Sequence, residues 1–280
     1  MKLNDKKKFN VLVSYAYMNK DIEASIINVQ DDCRFLLDSG AFTAWKTGRQ
    51  ITVDEYCNFL DNLKANPWRY FSLDVIGEPK KTMDNYEIML KRGFKPVPIF
   101  TRGEDFSVLD DYYKTSDVVG IGGLVGTKNN KAFVNSIMKK TKGNRVHWLG
   151  FADLDFIKYY RPYMCDSSTW ESSAKYGCIT LYEGRGKLKQ FSKKDFIKVP
   201  DKKVIKRLTE LGFNYLDFSK NKSYSGGDSV LRNTGAASYL ALSMDFERFL
   251  NVKMFNALSS NLAMNLFIRH FYYQTKGIRI

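Results

Sequence analysis

Short apolar runs alternate with amphipathic segments along the first two thirds of the chain. Each run ends at polar residues or glycine, which is typical of buried β-strands. Strands are predicted at residues 10–17, 35–38, 70–75, 96–100, 117–123, 145–151 and 163–166. Apolar residues at helical spacing predict helices at residues 53–63, 83–92, 131–140 and 154–160. This alternation is typical of βαβ units around a parallel sheet.

The last third of the chain predicts how the sheet is completed. An eighth strand is predicted at residues 215–218, after a helix at residues 202–211 that ends at Gly212. Residues 223–227 predict a flexible loop, and residues 234–249 and 253–273 predict a closing pair of C-terminal helices. Seven or eight strand–helix steps favour an α/β fold of the (β/α)8 TIM-barrel type over an open doubly wound sheet. Without a visible repeat or linker, residues 1–280 are expected to form a single domain.

The alternation stops after Asp166. Residues of about 170–200 lack a clear period and carry many lysines and arginines, so they predict a basic insertion after the seventh strand. In a barrel, segments that follow strands lie on the face that carries catalysis.

The charge of the chain favours a polyanionic partner. The sequence holds 44 Lys and Arg against 30 Asp and Glu, a formal net charge of +14, and each phosphate that a protein neutralises adds affinity by counterion release. Tyr182, Phe191 and Phe196 are interleaved with the basic insertion and favour nucleic-acid contact, although a solvated charged face is the alternative. The predicted nucleic-acid contacts are Arg185, Lys187, Lys189, Lys193, Lys194, Lys202 and Lys203.

Composition excludes several classes of protein. With 44% hydrophobic and 26% charged residues, and no apolar run near the roughly 18 residues of a membrane span, the chain predicts a cytoplasmic globular protein without a membrane partner. The N-terminus lacks the apolar region of a secretion signal. Four cysteines without close pairs and two histidines predict no disulfide framework and no metal, and no motif calls for a cofactor.

Three aspartates share one position in the predicted pattern. Asp38, Asp74 and Asp166 each lie at the carboxyl end of a strand, beside small residues. In a barrel this position directs all three at one cavity. Carboxylates in one pocket push their pKa values apart, so one can act as nucleophile while another carries a proton, as in glycosidic-bond cleavage. The alternative is three separate turn caps.

Glycine, histidine and tryptophan residues give weaker signals. Residues 120–126 are rich in glycine but match neither a phosphate-binding loop nor a dinucleotide fingerprint, so close approach of the backbone to a flat ligand is the better interpretation. His147, within a predicted strand, is more typical of a core imidazole than of a catalytic one. The tryptophans are expected mostly in the core, although Trp170, four residues after Asp166, is a candidate for lining the pocket.

Six short segments, taken in order, resemble the signature segments of the tRNA-guanine transglycosylase superfamily. They are Leu37-Asp-Ser-Gly-Ala-Phe42, Leu73-Asp74, Pro98-Ile-Phe-Thr-Arg-Gly103, Ile121-Gly-Gly-Leu-Val-Gly126, Trp148-Leu-Gly150 and Cys165-Asp-Ser167. The resemblance covers about residues 35–170. Members of the superfamily are (β/α)8 barrels that exchange or remove a guanine-type base through a covalent ribosyl-aspartate.

The resemblance implies a role for each matched residue. It makes Asp166 the nucleophile at C1′, Asp38 the general acid and base beside the leaving or incoming base, and Asp74 the reader of the Watson–Crick edge of the purine. The remaining substrate-binding residues that it implies, together with Trp170 from the pattern above, are Ser39, Gly40, Phe42, Arg102, Gly122, Gly123 and Leu124.

Two departures from the family pattern bear on the substrate. Thr43 and the Thr101-Arg102 pair stand where the family commonly has glutamine, which leaves the base open. The tRNA enzymes carry a zinc site of three cysteines and one histidine after the nucleophile, whereas this chain has Cys178 and the distant His270 there. The shorter, zinc-free form resembles more the deazapurine DNA-modification branch found in phages and bacterial genomic islands.

Three functions are therefore expected, in descending order. The first is a DNA-guanine transglycosylase that exchanges guanine in DNA for a 7-deazaguanine base, preQ0-like, through a covalent aspartyl-deoxyribose intermediate. The second is a DNA N-glycosylase in which water resolves that intermediate, with a phage or anti-phage role, and the third a non-catalytic nucleic-acid-binding barrel; tRNA or another RNA is a less favoured substrate. The expected partners are DNA, the free base and a helicase-like or other protein of the modification system.

Overall fold

A computed structural model describes residues 7–125, 130–198, 201–219 and 229–278. Within these residues the chain forms ten strands. They are β1 (Phe9–Ser14), β2 (Cys33–Asp38), β3 (Arg69–Tyr70), β4 (Ile99–Phe100), β5 (Val118–Ile121), β6 (Arg145–Trp148), β7 (Met164–Ser167), β8 (Cys178–Gly184), β9 (Lys187–Ser192) and β10 (Lys253–Leu258).

Twelve α-helices lie in the same part of the chain. They are α1 (Lys20–Asn28), α2 (Ala41–Thr47), α3 (Val53–Asn62), α4 (Pro79–Lys91), α5 (Ser107–Thr115), α6 (Asn130–Lys140), α7 (Leu154–Tyr160), α8 (Ser172–Lys175), α9 (Lys193–Lys198), α10 (Lys202–Glu210), α11 (Val230–Leu250) and α12 (Asn261–Lys276). Short 3-10 helices occupy Tyr15–Tyr17, Thr169–Glu171 and Tyr215–Ser219. None of the helices in the described ranges is both long and apolar enough to cross a membrane.

Side-chain caps fix the starts of several helices. Thr52 accepts a hydrogen bond from the Glu55 backbone N–H at the start of α3, and Asp153 accepts from two backbone N–H groups at the start of α7. Ser260 caps α12 in the same way through the Ala263 N–H. These caps satisfy backbone donors that a first helical turn leaves unpaired, so the helices begin at defined residues.

Eight of the strands form one curled parallel sheet. Their order is β3-β2-β1-β10-β7-β6-β5-β4, and every neighbouring pair is parallel. Backbone hydrogen bonds also join the two ends of this order, because Ser72 N–H donates to the Val97 carbonyl at 3.0 Å and Val97 N–H donates to the Tyr70 carbonyl at 2.8 Å. Phe71 and Val97 thereby form a parallel bridge between the segments that contain β3 and β4.

Apolar side chains cover both faces of this sheet. Leu12, Leu36 and Phe255 belong to a cluster on the concave face, while Val11 and Val13 belong to the larger cluster between the sheet and the helices. Strands buried on both faces read as continuous apolar runs rather than as alternating ones. This explains why Phe-Leu-Leu precedes Asp38 in β2.

The predicted eighth strand was wrong, and so was the start of the second closing helix, whereas α11 and α12 confirm that two helices close the chain. Residues 215–218 lie in a 3-10 helix, whereas Lys253–Leu258, predicted as the start of a helix, is the strand β10 between β1 and β7. Because β10 is buried on both faces, its short apolar run has no period of two, and such a run cannot be told from a helical segment. The predicted flexible loop at 223–227 lies outside the described residues.

The segment after β7 is an antiparallel hairpin with helices, packed on the outside of α11. Strands β8 and β9 pair with each other, and Ile179, Phe196 and Leu208 form a separate apolar core with Leu231 of α11. The predicted helix at 202–211 is confirmed as α10.

The direction of this hairpin follows from its contacts along α11. The Thr180 carbonyl accepts from Ser238 Oγ, and about two turns further along α11 the Tyr182 hydroxyl donates to Asp245 Oδ2. Gly186, in the turn, lies against Phe246, about 12 Å further along the helix than Ser238. Since α11 leads into the amino end of β10, the hairpin turn points toward the amino ends of the parallel strands.

Candidate active site

A cavity of about 520 Å³ opens at the carboxyl ends of the parallel strands, and all three aspartates line it. Asp38 is the last residue of β2, Asp166 lies near the end of β7, and Asp74 follows β3. The structure thus brings together three carboxyl groups that are far apart in the sequence. We call this space the aspartate cavity.

Asp166 is held through one of its two carboxylate oxygens. Oδ1 accepts the Gly150 backbone N–H at 2.8 Å and lies 2.9 Å from His147 Nε2. No described residue bonds Oδ2. Since Asp166 is 7% exposed and lines the aspartate cavity, its second oxygen is the one available to a ligand there.

The imidazole of His147 is fully buried beneath Asp166. Its Nδ1 is buried without a hydrogen-bond partner among the described residues, and the Phe71 ring packs 4.8 Å from the imidazole centroid. A proton on Nδ1 would be stranded there, whereas a proton on Nε2 is donated to the carboxylate. The neutral Nε2–H tautomer therefore fits this site.

Asp38 lies in an environment that favours its protonated form. Its Oδ2 accepts the Gly40 backbone N–H at 3.0 Å. Burial raises the pKa of Asp38, and the nearby charge of Asp166 raises it further, although the hydrogen bonds from Gly40 and Ser14 act in the opposite direction. Asp38 is consequently suited to carry and release a proton.

The pKa of Asp74 is also raised, which favours its protonated form. Burial, together with the charge of Asp38, raises the pKa of Asp74 to about 7, while a hydrogen bond from Ser39 opposes the shift. Ser39 Oγ donates to Asp74 Oδ1 at 2.7 Å, and Ser39 is fully buried. Near neutral pH Asp74 can therefore be a hydrogen-bond donor or a pure acceptor.

The Asp-Ser-Gly turn requires glycine at its third position. Gly40 has a φ of +83°, and a Cβ built there would lie 3.1 Å from the Ala16 backbone nitrogen. The turn directs the Gly40 N–H back to Asp38 and starts α2. Asp38, Ser39 and Gly40 thus act as one structural unit beside the aspartate cavity.

The other residues expected at the substrate fall into two groups. Phe42, Gly122 and Gly123 line the aspartate cavity. Arg102 and Leu124 do not, because the Arg102 guanidinium lies 4.9 Å from the Phe133 ring centroid and Leu124 is buried in the core. The glycine-rich segment meets the cavity through Gly122 and Gly123, which is consistent with close backbone approach.

The expectation that Trp170 lines the pocket was wrong. Its side chain is fully buried, its indole N–H donates to the Ala257 carbonyl at 2.8 Å, and its ring packs against Phe267. Trp45, expected in the core, is instead 60% exposed and lines the aspartate cavity. The reason is that the chain turns into a 3-10 helix directly after β7, which directs Trp170 under α11.

A second cavity of about 570 Å³ adjoins the first. Its walls include Trp45, Asp74 and Ile76, which also line the aspartate cavity. Its polar side chains carry both signs of charge, from Arg49, Lys81, Glu78 and Asp84. No sequence pattern pointed to this space, because it is formed by the α2–α3 connection facing α4.

The basic residues of the insertion do not converge on the aspartate cavity. Arg185 and Lys187 flank the hairpin turn, which points toward the amino ends of the strands, and both are exposed. The side chain of Lys193 lies outside the described residues. The remaining predicted contacts are exposed, and they are Lys189, Lys194, Lys202 and Lys203.

Groups that could bind a metal are not clustered in this part of the molecule. Within the described ranges, no three His, Cys, Asp or Glu side chains are arranged to hold a metal ion. Cys33, Cys57 and Cys165 are buried free thiols, and Cys178 is a half-buried one.

Comparison with protein-family models, with curated proteins and with solved structures found no match to this chain. The fold and the cavity define the class of this protein: an α/β protein with a curled eight-stranded parallel sheet and three aspartates in a cavity at the carboxyl ends of its strands. The superfamily resemblance depends on the sequence motifs alone.

Proposed function

We propose that this chain is a DNA-guanine transglycosylase built on a closed (β/α)8 barrel, and that it exchanges guanine in DNA for a 7-deazaguanine base. The bridge between Phe71 and Val97 supports closure, because it pairs the two outermost segments of the sheet order. In such a barrel the active site lies at the carboxyl ends of the strands, where the aspartate cavity opens.

One observation carries the proposal: Asp38, Asp74 and Asp166 line one cavity in three different environments. Asp166 is anchored through Oδ1, which leaves Oδ2 for nucleophilic attack. Asp38 has a raised pKa and lies near enough for the charge of Asp166 to contribute to it. A carboxyl group held for attack beside a second one with a raised pKa is what cleavage of a glycosidic bond with a covalent intermediate requires.

The reaction follows from these roles in two displacements. Asp166 Oδ2 attacks C1′ of a guanosine nucleotide that has been turned out of the DNA stack, the C1′–N9 bond breaks with its electron pair going to the base, and Asp38 donates a proton to the departing guanine. The incoming 7-deazaguanine then gives a proton to Asp38, its ring nitrogen bonds C1′, and the Asp166 carboxylate is released.

Asp74 is suited to selecting the base. In its ionised form it accepts hydrogen bonds from the N1–H and exocyclic amine on the Watson–Crick edge of a guanine-type base. Gly122 and Gly123 offer backbone atoms to the same planar ligand. The bond from Ser39 fixes the orientation of the carboxyl group, so the recognition geometry is held before the base arrives.

Substitution of the proposed nucleophile tests the proposal. Wild-type protein is incubated with a guanine-containing oligonucleotide, and covalent protein–DNA adduct is quantified on a denaturing gel and located by peptide mass spectrometry. Asp166→Asn is expected to abolish the adduct. The matched control is Asp155→Asn, a carboxyl group with a side chain 94% exposed on α7, which should leave the adduct unchanged. Undiminished adduct in Asp166→Asn would remove this residue from the nucleophile role.

A second measurement separates exchange from hydrolysis. With labelled 7-deazaguanine present, exchange places label in the DNA and leaves no abasic sites. An N-glycosylase would produce abasic sites whether or not the free base is added, and that outcome would contradict the transferase assignment.

A further inference from the structure

Four large apolar side chains are exposed around the aspartate cavity. Phe42 is 38% exposed, Trp45 60%, Ile76 36% and Val125 47%, and all four line this cavity. Exposed apolar side chains gathered around one opening mark a binding surface rather than ordinary scatter.

Two of these side chains form an aromatic shelf on α2. The rings of Phe42 and Trp45 are stacked, with centroids 6.0 Å apart and planes inclined by 30°. Lys46 Nζ lies 4.3 Å from the Phe42 centroid, and Arg49 follows the end of the helix, where it bonds Glu55. We call Phe42, Trp45, Lys46 and Arg49 the α2 shelf.

Trp45 also separates the two cavities, since its side chain lines both of them. The second cavity sets Arg49 and Lys81 against the carboxyl groups of Asp74, Glu78 and Asp84, and Lys81 already pairs with Glu78 at 2.5 Å. A space with no excess of positive charge and an exposed indole wall suits an uncharged flat ring better than a phosphate. Lys46, exposed and with its Nζ over the Phe42 ring, is the cation of the shelf that is suited to an anion.

We propose that the α2 shelf binds the nucleotide next to the target nucleotide in the same DNA strand. Its base stacks on Trp45 over the second cavity, and the intervening phosphate lies near Lys46. This inference rests on the proposed function, because it presumes a target nucleotide in the aspartate cavity.

The occupant follows from stacking, charge and distance. Turning the target out of the helix deprives the neighbouring base of its stacking partner, and an exposed indole replaces that partner. Aromatic rings interleaved with cations are the usual surface for single-stranded nucleic acid. The two cavities share Asp74 and Trp45, so ligands in them are close enough to be adjacent nucleotides of one strand.

Substitution of Trp45 tests the shelf. Affinity for a fluorescent single-stranded oligonucleotide is measured by anisotropy for wild type, Trp45→Ala, Trp45→Phe and Phe249→Ala. Phe249 is a matched control, since it is 62% exposed at the far end of α11. Trp45→Ala is expected to weaken binding by about 10-fold or more, as for loss of one stacked base, while Trp45→Phe retains most of the affinity. Equal affinities of Trp45→Ala and Phe249→Ala would overturn the proposal.

Abasic oligonucleotides identify what stacks on Trp45. One oligonucleotide lacks the base on the 5′ side of the target guanine, and another lacks the base on the 3′ side. For one of the two, removal of the base should weaken wild-type binding by the same factor as Trp45→Ala and should cause no further loss in that variant. If removal of either base weakened binding by the same factor in Trp45→Ala as in wild type, the assignment of the neighbouring nucleotide to Trp45 would be overturned.

The outcomes separate this inference from the proposed function. Covalent adduct that depends on Asp166, with unchanged oligonucleotide affinity in Trp45→Ala, would refute the shelf and leave the transglycosylase standing. Absence of adduct together with Trp45-dependent binding would refute the chemistry and leave the shelf. If Trp45→Ala instead raised the KM for free 7-deazaguanine alone, the second cavity would be a site for the base, and the shelf proposal would fail.

Discussion

The pairing of His147 with Asp166 is the contact on which the proposed chemistry most depends. A carboxylate that attacks through one oxygen gains from having the other fixed, because small misplacements of a reacting group cost large factors in rate. His147 donates from a fully buried position, and Gly150 donates from the backbone to the same oxygen. His147 is in these terms a positioning residue.

Replacement of His147 should lower the rate of adduct formation without weakening DNA binding. His147→Phe retains the ring but removes the donor, so the single-turnover rate is expected to fall by about 10- to 100-fold. His147→Gln keeps an N–H donor at a similar reach and should recover part of the rate. Single-turnover kinetics at several oligonucleotide concentrations measure both the rate of adduct formation and the affinity for DNA. If the single-turnover rate fell as far in His147→Gln as in His147→Phe, His147 would have a role in packing alone.

Asp74 should make the stability of the protein depend on pH. Its pKa in the folded protein, about 7, lies above the ordinary value of 3.8, so between these values the folded chain holds a proton that the unfolded chain has released. The free energy of unfolding therefore falls as pH rises from about 4 to about 7, by a few kcal/mol relative to Asp74→Asn, and is level above that range.

Urea denaturation of wild type and Asp74→Asn at several pH values measures this difference. Asp155→Asn, at the surface of α7, should follow the wild-type curve. A difference between wild type and Asp74→Asn that stays constant with pH would show that the proton is not retained on Asp74.

At the scale of elements, the turn between β2 and α2 positions residues of both the aspartate cavity and the α2 shelf. It orients Asp38 and Ser39 toward the aspartate cavity and places Phe42 and Trp45 on the following helix. Both ends of α2 carry a glycine with positive φ, Gly40 at +83° and Gly48 at +70°. Only Gly40 has close neighbours, so comparing substitutions at the two glycines measures how much the β2–α2 turn depends on the absence of a side chain.

Gly40→Ala should destabilise the protein more than Gly48→Ala. Both variants place a side chain in the left-handed region, at a cost of about 1–2 kcal/mol. At Gly40 the added Cβ also lies 3.1 Å from the Ala16 nitrogen and 3.3 Å from Ser14 Oγ, whereas at Gly48 nothing lies within 4 Å. We expect a loss of about 2–4 kcal/mol for Gly40→Ala against about 1–2 kcal/mol for Gly48→Ala. Equal unfolding free energies of the two variants would show that the backbone of the β2–α2 turn shifts enough to accommodate the added methyl group.

At the scale of the whole molecule, a net charge of +14 should make the proposed affinity for DNA fall as the salt concentration rises. The basic residues are not equivalent, because Lys46 lies beside the aspartate cavity while Lys187 lies at the hairpin turn on the other side of α11. All basic residues contribute to the long-range attraction of DNA. Only those near the bound strand can contact its phosphates directly.

The salt dependence of oligonucleotide affinity should distinguish these two lysines. If about six phosphates are contacted, a plot of log affinity against log salt has a slope near −5 for duplex DNA and near −4 for a single strand. Lys46→Ala should make the slope shallower by about 1, and Lys187→Ala should leave it unchanged. Anisotropy titrations between about 50 and 200 mM salt measure the slopes. A flat dependence would argue against DNA, and a change confined to Lys187→Ala would relocate the DNA to the hairpin.

The sequence by itself determined the repeating strand–helix order and the three aspartates at strand ends. Both are local signals: an apolar run closed by Asp38-Ser-Gly40, or one that ends at Asp166, marks a strand terminus without reference to the rest of the chain. The strand near the C-terminus was not predicted because β10 pairs with β1 and β7 at its edges and is covered on one face by α11 and on the other by the cluster of the concave face. Its residues therefore carry no strand period.

Only the tertiary structure decided which side chains surround the aspartates. His147 meets Asp166 because β6 and β7 are neighbours in register, and Trp45 rather than Trp170 faces the cavity because of how the chain turns after β2 and after β7. The direction of the basic hairpin was likewise set by contacts with residues of α11 that lie about sixty positions further along the chain. Such contacts depend on the packing of distant segments, and spacing along a sequence records neither the register of two strands nor the side on which a loop leaves a sheet.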